Sequence, residues 1–233
     1  MHADPHPGNL FARKTASGDV QLVILDHGLY TELEEDTRIA YAKLWRGILS
    51  QDELQIKHAS CELGADFFQL FTAMIVNRTY DDVMDKKRSL KMKARLGDVN
   101  DTGSQAALQN YALYYHKDIV EILDTIKREL LLVMKTNNYL RAIDRRLGNP
   151  NNTFSVINET SWQVYKKEIW KRGSYWLYFK EAIRYWFVRT GLFFMYCSLR
   201  IRMALGFHYD PEALEDFDLD VTHHNARNAE ELQ

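Results

Sequence analysis

The sequence contains few cysteines, few prolines and no long apolar run. Its 233 residues include two cysteines and four prolines. Cys61 and Cys197 show neither disulfide nor metal-ligand spacing, which favours a reducing compartment and two buried, unreactive thiols. The longest apolar stretch near the end, Gly191 to Leu199, is shorter than the roughly 20 residues that a membrane-spanning helix needs. We therefore predict no transmembrane span within this chain.

The chain also lacks an excess of charge of either sign. Thirty Lys and Arg residues stand against 32 Asp and Glu residues, so no whole-chain attraction to nucleic acid or to anionic lipid follows. The first residues contain neither an apolar segment nor an Arg-rich amphipathic segment, and therefore no targeting signal. Apolar residues make up 46% of the chain, a value typical of a globular protein with a real core.

Strand and turn signals are confined to the start of the chain. Pro5 and Pro7 predict a loop over residues 1–8, and Asn9–Lys14 and Val20–Leu25 then predict the two strands of a hairpin. Everything after residue 30 has helical patterns, and Thr31 with Glu34 predicts a capping box at the first helix. Further predicted helices cover about 52–63, 66–77, 80–95, 104–135 and 155–205. The predicted fold class is mainly α, with one small N-terminal β-hairpin.

Composition divides the chain into four predicted segments. These are the hairpin segment, 1–30; a helical segment, 31–148; a pair of aromatic and basic helices, 149–209; and an acidic tail, 210–233, predicted to be disordered. The boundary near 148 is the stop signal Gly148-Asn-Pro-Asn-Asn152. In the third segment we expect the aromatic side chains to pack inward and the cations to lie in solvent. The alternative is that these helices lie on an anionic membrane surface.

The first 28 residues contain the chemistry. His2, Asp4 and Asn9 follow the pattern His-x-Asp-x-x-x-x-Asn, and an apolar strand leads to Asp26-His-Gly28. Phosphoryl transfer requires in-line positioning and neutralisation of charge rather than covalent chemistry. Asp4 fits the carboxylate beside the attacking oxygen, and the oxygens of Asn9 and Asp26 fit two ligands of Mg²⁺. Because a hairpin returns the chain to its start, we expect these three groups to lie together.

Each of these residues alone has an ordinary structural explanation. Asp4 suits the capping of a turn, and Asn9 suits the start of a strand. Five fixed residues at these spacings arise by chance on the order of once in a thousand such chains, given ordinary residue usage. The combination therefore favours a phosphotransferase site with Asp4 as the catalytic residue.

The same residues resemble a known family. His2-Ala-Asp-Pro-His-Pro-Gly-Asn9 and Leu25-Asp-His-Gly28 are similar to the catalytic loop and metal motif of the UbiB/aarF-domain atypical kinases. Within that family they most resemble the mitochondrial branch whose metal motif reads Asp-His-Gly. The resemblance implies a kinase C-lobe, ATP and Mg²⁺ as cofactors, and a mitochondrial role in lipid or ubiquinone homeostasis. It assigns catalysis to Asp4, the metal to Asn9 and Asp26, and a structural role beneath the metal motif to His2.

Two positions depart from the usual protein-kinase pattern. His27 stands where the metal motif commonly has phenylalanine, and a histidine there would hydrogen-bond or titrate. His6 occupies the position where many kinases have a lysine that contacts phosphate. We therefore assign His6 to nucleotide binding, and a neutral histidine stabilises phosphate charge less than a lysine does. The chain also begins just before the catalytic motif. We therefore expect a C-terminal fragment without an ATP-binding lobe, inactive on its own.

Three functions remain open from the sequence. The first is an atypical kinase or ATPase that is complete only with further residues, and whose partners are ATP and, by resemblance, a mitochondrial inner-membrane lipid or prenyl lipid. The second is a small-molecule kinase of the aminoglycoside or choline type, which also has an Asp-x-His-x-Gly-Asn loop. The third is a non-catalytic pseudokinase scaffold. Asp4-Pro5 and the Asp-His-Gly turn favour the first.

Overall fold

A computed structural model of the chain describes residues 1–85, 109–110, 112–147 and 152–204. After a short 3-10 turn at Pro7–Asn9 come strands β1, Leu10–Lys14, and β2, Val20–Ile24. The helices that follow are α1, Glu35–Ser50; α2, Glu53–Glu62; α3, Phe68–Val76; α4, Tyr80–Met84; α5, His116–Thr125; α6, Arg128–Arg146; α7, Thr153–Lys171; and α8, Tyr175–Ala204. The predicted mainly helical fold with one N-terminal hairpin is confirmed. The acidic tail, 210–233, lies outside the described residues.

The hairpin forms where the sequence predicts it. Strands β1 and β2 are antiparallel, with Leu10 opposite Ile24 and Lys14 opposite Val20. Gly18 has a φ of 89° in the connecting turn, a conformation that glycine adopts without steric cost. The first strand begins one residue later than predicted, because Asn9 closes the 3-10 turn that Pro7 starts.

A second, shorter pairing closes the loop that precedes the hairpin. His2 and Tyr30 form an antiparallel bridge, and the Thr31 amide donates to the Met1 carbonyl at 3.0 Å. The predicted capping box of Thr31 and Glu34 is therefore wrong. Thr31 follows the His2–Tyr30 bridge, and α1 begins only at Glu35. Its N-cap is Glu34, whose side chain makes no capping hydrogen bond and instead accepts from Lys127.

Helix α1 lies at the centre of the molecule and packs against α2 and α7. Its apolar residues recur at helical spacing and reach full burial at Leu44 and Ile48. The same core contains Phe71 from α3, Phe154 from α7 and Leu192 from α8. The helices on both sides of the predicted boundary at residue 148 thus share one core, while the predicted segment boundaries remain untested.

The predicted helix over 104–135 is wrong as one continuous element. Among the described residues, Tyr115 ends a helical stretch that includes 109–110 and 112–114. A second break follows because Ile126 takes an extended conformation after α5 ends at Thr125, and α6 then begins at Arg128. Ile126 is buried, so the break turns an apolar side chain into the core. Residues 104–108 and 111 of the predicted helix lie outside the described residues.

The C-terminal helical pair forms as predicted, but its aromatic residues do not all pack inward. Asn152 caps α7 by accepting from the Phe154 and Ser155 amides, and Gly173 at a φ of 67° connects α7 to α8. Trp170, Trp176 and Trp186 are exposed, which corrects the expectation that these side chains face the core. Within the described ranges, no helix combines the length and apolarity needed to cross a membrane.

The cysteines also differ from expectation. Cys61 is exposed and Cys197 is half-buried, whereas we predicted two buried thiols. In α2 the core-facing positions are Ile56 and Ala59, and Cys61 lies on the solvent side of the same helix. Both thiols are free.

A buried ion pair joins the first and last helices. Arg46 of α1 donates from Nη2 and Nε to the Glu181 carboxylate of α8, and also from Nη2 to the Glu181 carbonyl at 3.1 Å. The Arg46 guanidinium lies 5.1 Å from the ring centre of Trp162 in α7. Burial lowers the pKa of Arg46 from its ordinary value, and the bond to Glu181 opposes that shift. Three helices thus meet at one charge pair.

Replacing Glu181 with leucine should destabilise the protein strongly. The Arg46 charge would remain buried without a partner, which costs about 3–5 kcal/mol of unfolding free energy. Urea denaturation of the variant measures the loss. The double variant Arg46→Met/Glu181→Leu should lose much less than either single change, because the buried charge is gone.

Glu168→Leu is the matched control. Glu168 pairs with Arg172 four residues further along α7, and the Arg172 side chain is largely exposed, so this pair contributes less than about 1 kcal/mol. A Glu181→Leu variant no less stable than Glu168→Leu would show that the buried pair does not hold the helices together.

Candidate active site

The Asp4 loop is fixed at both of its ends. On one side the Ala3 amide donates to the Leu29 carbonyl at 3.0 Å. On the other side the loop enters the 3-10 turn at Pro7. The Asp4 amide lies 3.3 Å from Nδ1 of His2, and the Asp4 side chain is about one-third exposed. Asp4 is thus held at the surface by backbone contacts rather than by packing in the core.

Asn9 links Asp4 to the second strand. Its Nδ2 donates to the Asp4 carbonyl at 3.4 Å, and its own carbonyl accepts from the Leu25 amide at 2.9 Å. Since Leu25 directly precedes Asp26, the residue pair at positions 9 and 26 lies at the open end of the hairpin. Backbone and amide hydrogen bonds thus connect the Asp4 loop to the strand that leads to Asp26, and the convergence of the three side chains on one ligand remains a prediction.

Asp26 lies in an exposed turn that its own side chain closes. Oδ1 of Asp26 accepts from the Gly28 amide at 2.7 Å. A Cβ at position 28 would come within 3.0 Å of that same oxygen, so glycine allows the carboxylate to approach the turn closely. Oδ2 remains available to a ligand on the solvent side.

The donor atoms suit a magnesium ion. The Asn9 amide nitrogen is tied to the Asp4 carbonyl, which leaves the amide oxygen as the free end of that side chain. With Oδ2 of Asp26 it supplies two hard oxygen ligands, and Mg²⁺ is commonly held by one or two protein oxygens plus substrate phosphates and water. In the described part of the chain no three His, Cys, Asp or Glu side chains converge into a metal site.

A lysine that the sequence analysis missed lies beside Asp4, the predicted catalytic residue. Nζ of Lys135, in α6, is 3.1 Å from Oδ1 of Asp4. The hydrogen bond to Asp4 raises the pKa of the Lys135 ammonium above its ordinary value, so the group stays charged at neutral pH. The ammonium is also 5.6 Å from the ring centre of Tyr139, one turn further along α6. The only sequence signal for this contact was the Lys-Tyr pair at helical spacing.

His6 lies in the same group of side chains. Its ring packs edge-on against Tyr139, with centroids 5.5 Å apart, and its Nδ1 accepts from the Gly8 amide at 3.1 Å. Local contacts of this kind explain its position in the loop. The assignment of His6 to the nucleotide remains a prediction.

Histidines flank the metal motif through Tyr30. The rings of His2 and His27 both stack on Tyr30, with centroids 5.2 and 5.9 Å away. Nδ1 of His27 is 2.7 Å from the Tyr30 hydroxyl, so the expectation that His27 would form a hydrogen bond is confirmed. The aromatic stack that a phenylalanine would make inside the protein is replaced by a polar stack at its surface.

Known proteins resemble the chain in this segment and well beyond it. The ABC1 atypical kinase-like domain matches residues 1–60. AarF domain-containing protein kinase 1 of Mus musculus is 35% identical over 161 residues, which cover 68% of this chain and 29% of the mouse protein. A putative ABC1 protein of Arabidopsis thaliana is 34% identical over 226 residues, covering 88% of this chain and 40% of that protein.

A more distant organism provides a further relative. A probable serine/threonine-protein kinase of Dictyostelium discoideum is 32% identical over 151 residues, which cover 65% of this chain and 20% of that kinase. No solved structure matches the chain. The chain thus spans well under half the length of the curated relatives it matches. By these likenesses, the chain belongs to the ABC1, or aarF-domain, family of atypical kinase-like proteins.

Proposed function

We propose that these 233 residues contain the catalytic-aspartate and magnesium-ligand portion of an ATP-dependent phosphoryl-transfer site. The observation that supports this most is the linkage of Asp4, Asn9 and Asp26 at the open end of the hairpin. Two oxygen ligands and a carboxylate base are the groups that phosphoryl transfer requires of this part of a kinase. Of the three functions considered from the sequence, the likeness to aarF-domain kinases favours the first.

Each side chain has a role in the proposal. The Asp4 carboxylate orients the attacking hydroxyl and accepts its proton. Asn9 and Asp26 hold Mg²⁺ through oxygen. When bound, the ion neutralises charge on the nucleotide phosphates. Exposure of the whole Asp26–Gly28 turn leaves this face open to a nucleotide.

Lys135 supplies the cation that the catalytic loop lacks. Position 6 has a histidine where a phosphate-contacting lysine is common in kinases, and the Lys135 ammonium reaches Asp4 from α6 instead. A charged donor beside the catalytic carboxylate stabilises the negative charge that develops on the transferred group. In this proposal the positive charge comes from Lys135 on α6 rather than from the loop.

The setting of the activity is also part of the proposal. The resemblance to the mitochondrial branch of the family supports a mitochondrial location and a role in lipid or ubiquinone homeostasis. Fractionation of cells that express the protein tests the location, and recovery of the protein outside mitochondria would remove this part of the proposal without affecting the site.

Mn²⁺, used as a spectroscopic probe for Mg²⁺, should bind the chain through Asp26. The variants Asp26→Asn and Asn9→Ala should each weaken Mn²⁺ binding by at least about ten-fold. Even the replacement of a residue that only hydrogen-bonds to a metal ligand lowers metal affinity by that factor. Electron paramagnetic resonance titration of free Mn²⁺ measures the affinity directly.

Asp19→Asn is the matched control for the metal site. Asp19 lies in the turn at the other end of the same hairpin, where its Oδ2 accepts from Ser17. The control should bind Mn²⁺ as the unmodified chain does. Equal affinity in the Asp26→Asn variant would remove the assignment of the metal ligands. The chain alone should hydrolyse Mg·ATP negligibly, because the exposed Asp26–Gly28 turn leaves the phosphates solvated rather than held in line, and Asp26-dependent hydrolysis at micromolar ATP would contradict that part.

Substituting Lys135 should change metal and nucleotide binding in opposite directions. Lys135→Met removes a positive charge, so Mn²⁺ should bind more tightly, while Mg·ATP should bind about ten-fold more weakly through the lost charged hydrogen bond. Lys135→Arg should restore nucleotide binding. Equilibrium dialysis with Mn²⁺ alone and with labelled Mg·ATP gives both affinities.

Lys117→Met separates this role from a general charge effect. Lys117 is an exposed lysine on α5, and its loss should change neither affinity. If Lys135→Met lowered both affinities together, Lys135 would be acting as a structural support for the loop and not as a partner of phosphate.

A further inference from the structure

Helix α8 presents a long apolar face to solvent. Its exposed apolar residues recur at intervals of three and four and include Trp176, at 78% exposure, and Phe187, at 80%. We call this set the outward face: Tyr175, Trp176, Phe179, Ile183, Trp186, Phe187, Phe193, Phe194 and Ile201. At 1.5 Å per residue the face runs for about 40 Å. Exposed apolar patches of this extent mark interaction sites.

The opposite side of the same helix is anchored in the core. Tyr185 and Leu192 are buried there, and Glu181 bonds to Arg46 of α1. The inner side of α8 thus already fills its place in the core. The outward face is a second apolar surface on the same helix, and it is exposed. Trp170, at the end of α7, extends the face and lies edge-on to Tyr175, with centroids 6.0 Å apart.

The charges around the outward face are of one sign. The sequence of α8 contains a single acidic residue, Glu181, and that carboxylate is buried against Arg46. Lys180 and Arg189 are exposed and flank the face on either side. The Arg189 guanidinium lies 5.2 Å from the ring centre of Trp186. The face therefore combines aromatic rings with cations and offers no negative charge to solvent.

We propose that the outward face of α8 lies in the interfacial layer of a membrane that contains anionic lipid. Trp and Tyr side chains favour the boundary between headgroups and acyl chains. Lys and Arg beside them attract anionic headgroups. Because the opposite side of α8 is packed against the protein, the helix would lie on a membrane rather than cross it. The proposal does not depend on the phosphoryl-transfer function.

Charge distinguishes this occupant from a second copy of the chain. Pairing two outward faces about a two-fold axis would bring the Lys180 and Arg189 charges of both copies to one interface, where like charges disfavour association. An anionic lipid surface instead neutralises them. The acidic residues beyond Asp210 are a competing occupant with the right charge, and the experiment below distinguishes them from lipid.

The tryptophans of the chain provide the measurement. Trp170, Trp176 and Trp186 are exposed, whereas Trp45 and Trp162 are buried. Vesicles of phosphatidylcholine with about one-third phosphatidylglycerol should shift the emission of the exposed group to shorter wavelength, and brominated acyl chains should quench it. Pure phosphatidylcholine vesicles should bind the chain more weakly by about five-fold for each interacting cation.

Two substituted chains test the face itself. Trp176→Glu/Phe187→Glu should lower vesicle partitioning by about 100-fold, because two large apolar groups leave the interface and two like charges enter it. Lys180→Gln/Arg189→Gln should lower binding to the anionic vesicles only. The matched control Phe11→Glu/Lys14→Gln changes an exposed aromatic residue and a cation on the hairpin and should bind as the unmodified chain does.

The outcomes separate the possible occupants. All substituted positions are exposed, and unchanged thermal unfolding confirms that the variants fold. Vesicle binding that is equal in the outward-face variant and in the control would overturn the proposal. A second outcome would also overturn the proposal: sedimentation shows a dimer of the unmodified chain that the outward-face variant does not form, and neither chain binds vesicles. If deletion of residues 205–233 were required before any vesicle bound, the acidic tail and not lipid would be the occupant.

Discussion

The Arg46–Glu181 pair determines how the last helix sits on the rest of the molecule. The pair is buried, and the Glu181 carboxylate accepts hydrogen bonds from Nε and Nη2 of Arg46. The guanidinium also lies over the aromatic ring of Trp162. Buried charges are costly to hold unless they are fully paired, so only one rotation of α8 about its axis satisfies the arginine of α1. That rotation places Tyr185 and Leu192 inside. It also decides which aromatic residues are left for the surface.

The candidate site depends on a different kind of constraint. Backbone pairing of residues 1–3 with 29–31, together with the hairpin, brings the Asp4 loop and the Asp26–Gly28 turn to one edge. Asp4 and Asn9 need no buried environment for this, because main-chain hydrogen bonds fix both ends of the loop. From the described helices, the charged side chain of Lys135 reaches Asp4. Local geometry thus builds most of the site, and tertiary packing completes its electrostatics.

The parts of the structure that sequence reasoning predicted correctly are those specified locally. The hairpin follows from an apolar, β-branched run after a turn that contains Gly18, and α7 begins directly after the stop signal that ends at Asn152. The parts it missed depend on distant residues. Thr31 has the sequence of a helix cap, but its amide is taken by Met1. Ile126 lies in a helical pattern, but its backbone is extended and ends α5, and its side chain is buried in the core.

The aromatic helices show the same limit at a larger scale. Rings at helical spacing predict a stripe, and a stripe alone does not say whether it faces protein or solvent. In α8 two apolar stripes compete for the core. The one next to Glu181 wins because that carboxylate has Arg46 to bond. Single-sequence reasoning had no means of pairing positions 46 and 181, and so it assigned Trp176 and Trp186 to the wrong side.

The contact between Asp4 and Lys135 has a consequence for how this sequence can change over time. One residue comes from the first turn of the chain and the other from α6, yet their side chains satisfy one another. Substitutions at two such sites are thermodynamically coupled and do not add. Among proteins of this kind, the residues at positions 4 and 135 should therefore covary. Once Asp4 is replaced, the ion pair no longer constrains position 135, so members without catalytic activity should have lost both Asp4 and Lys135.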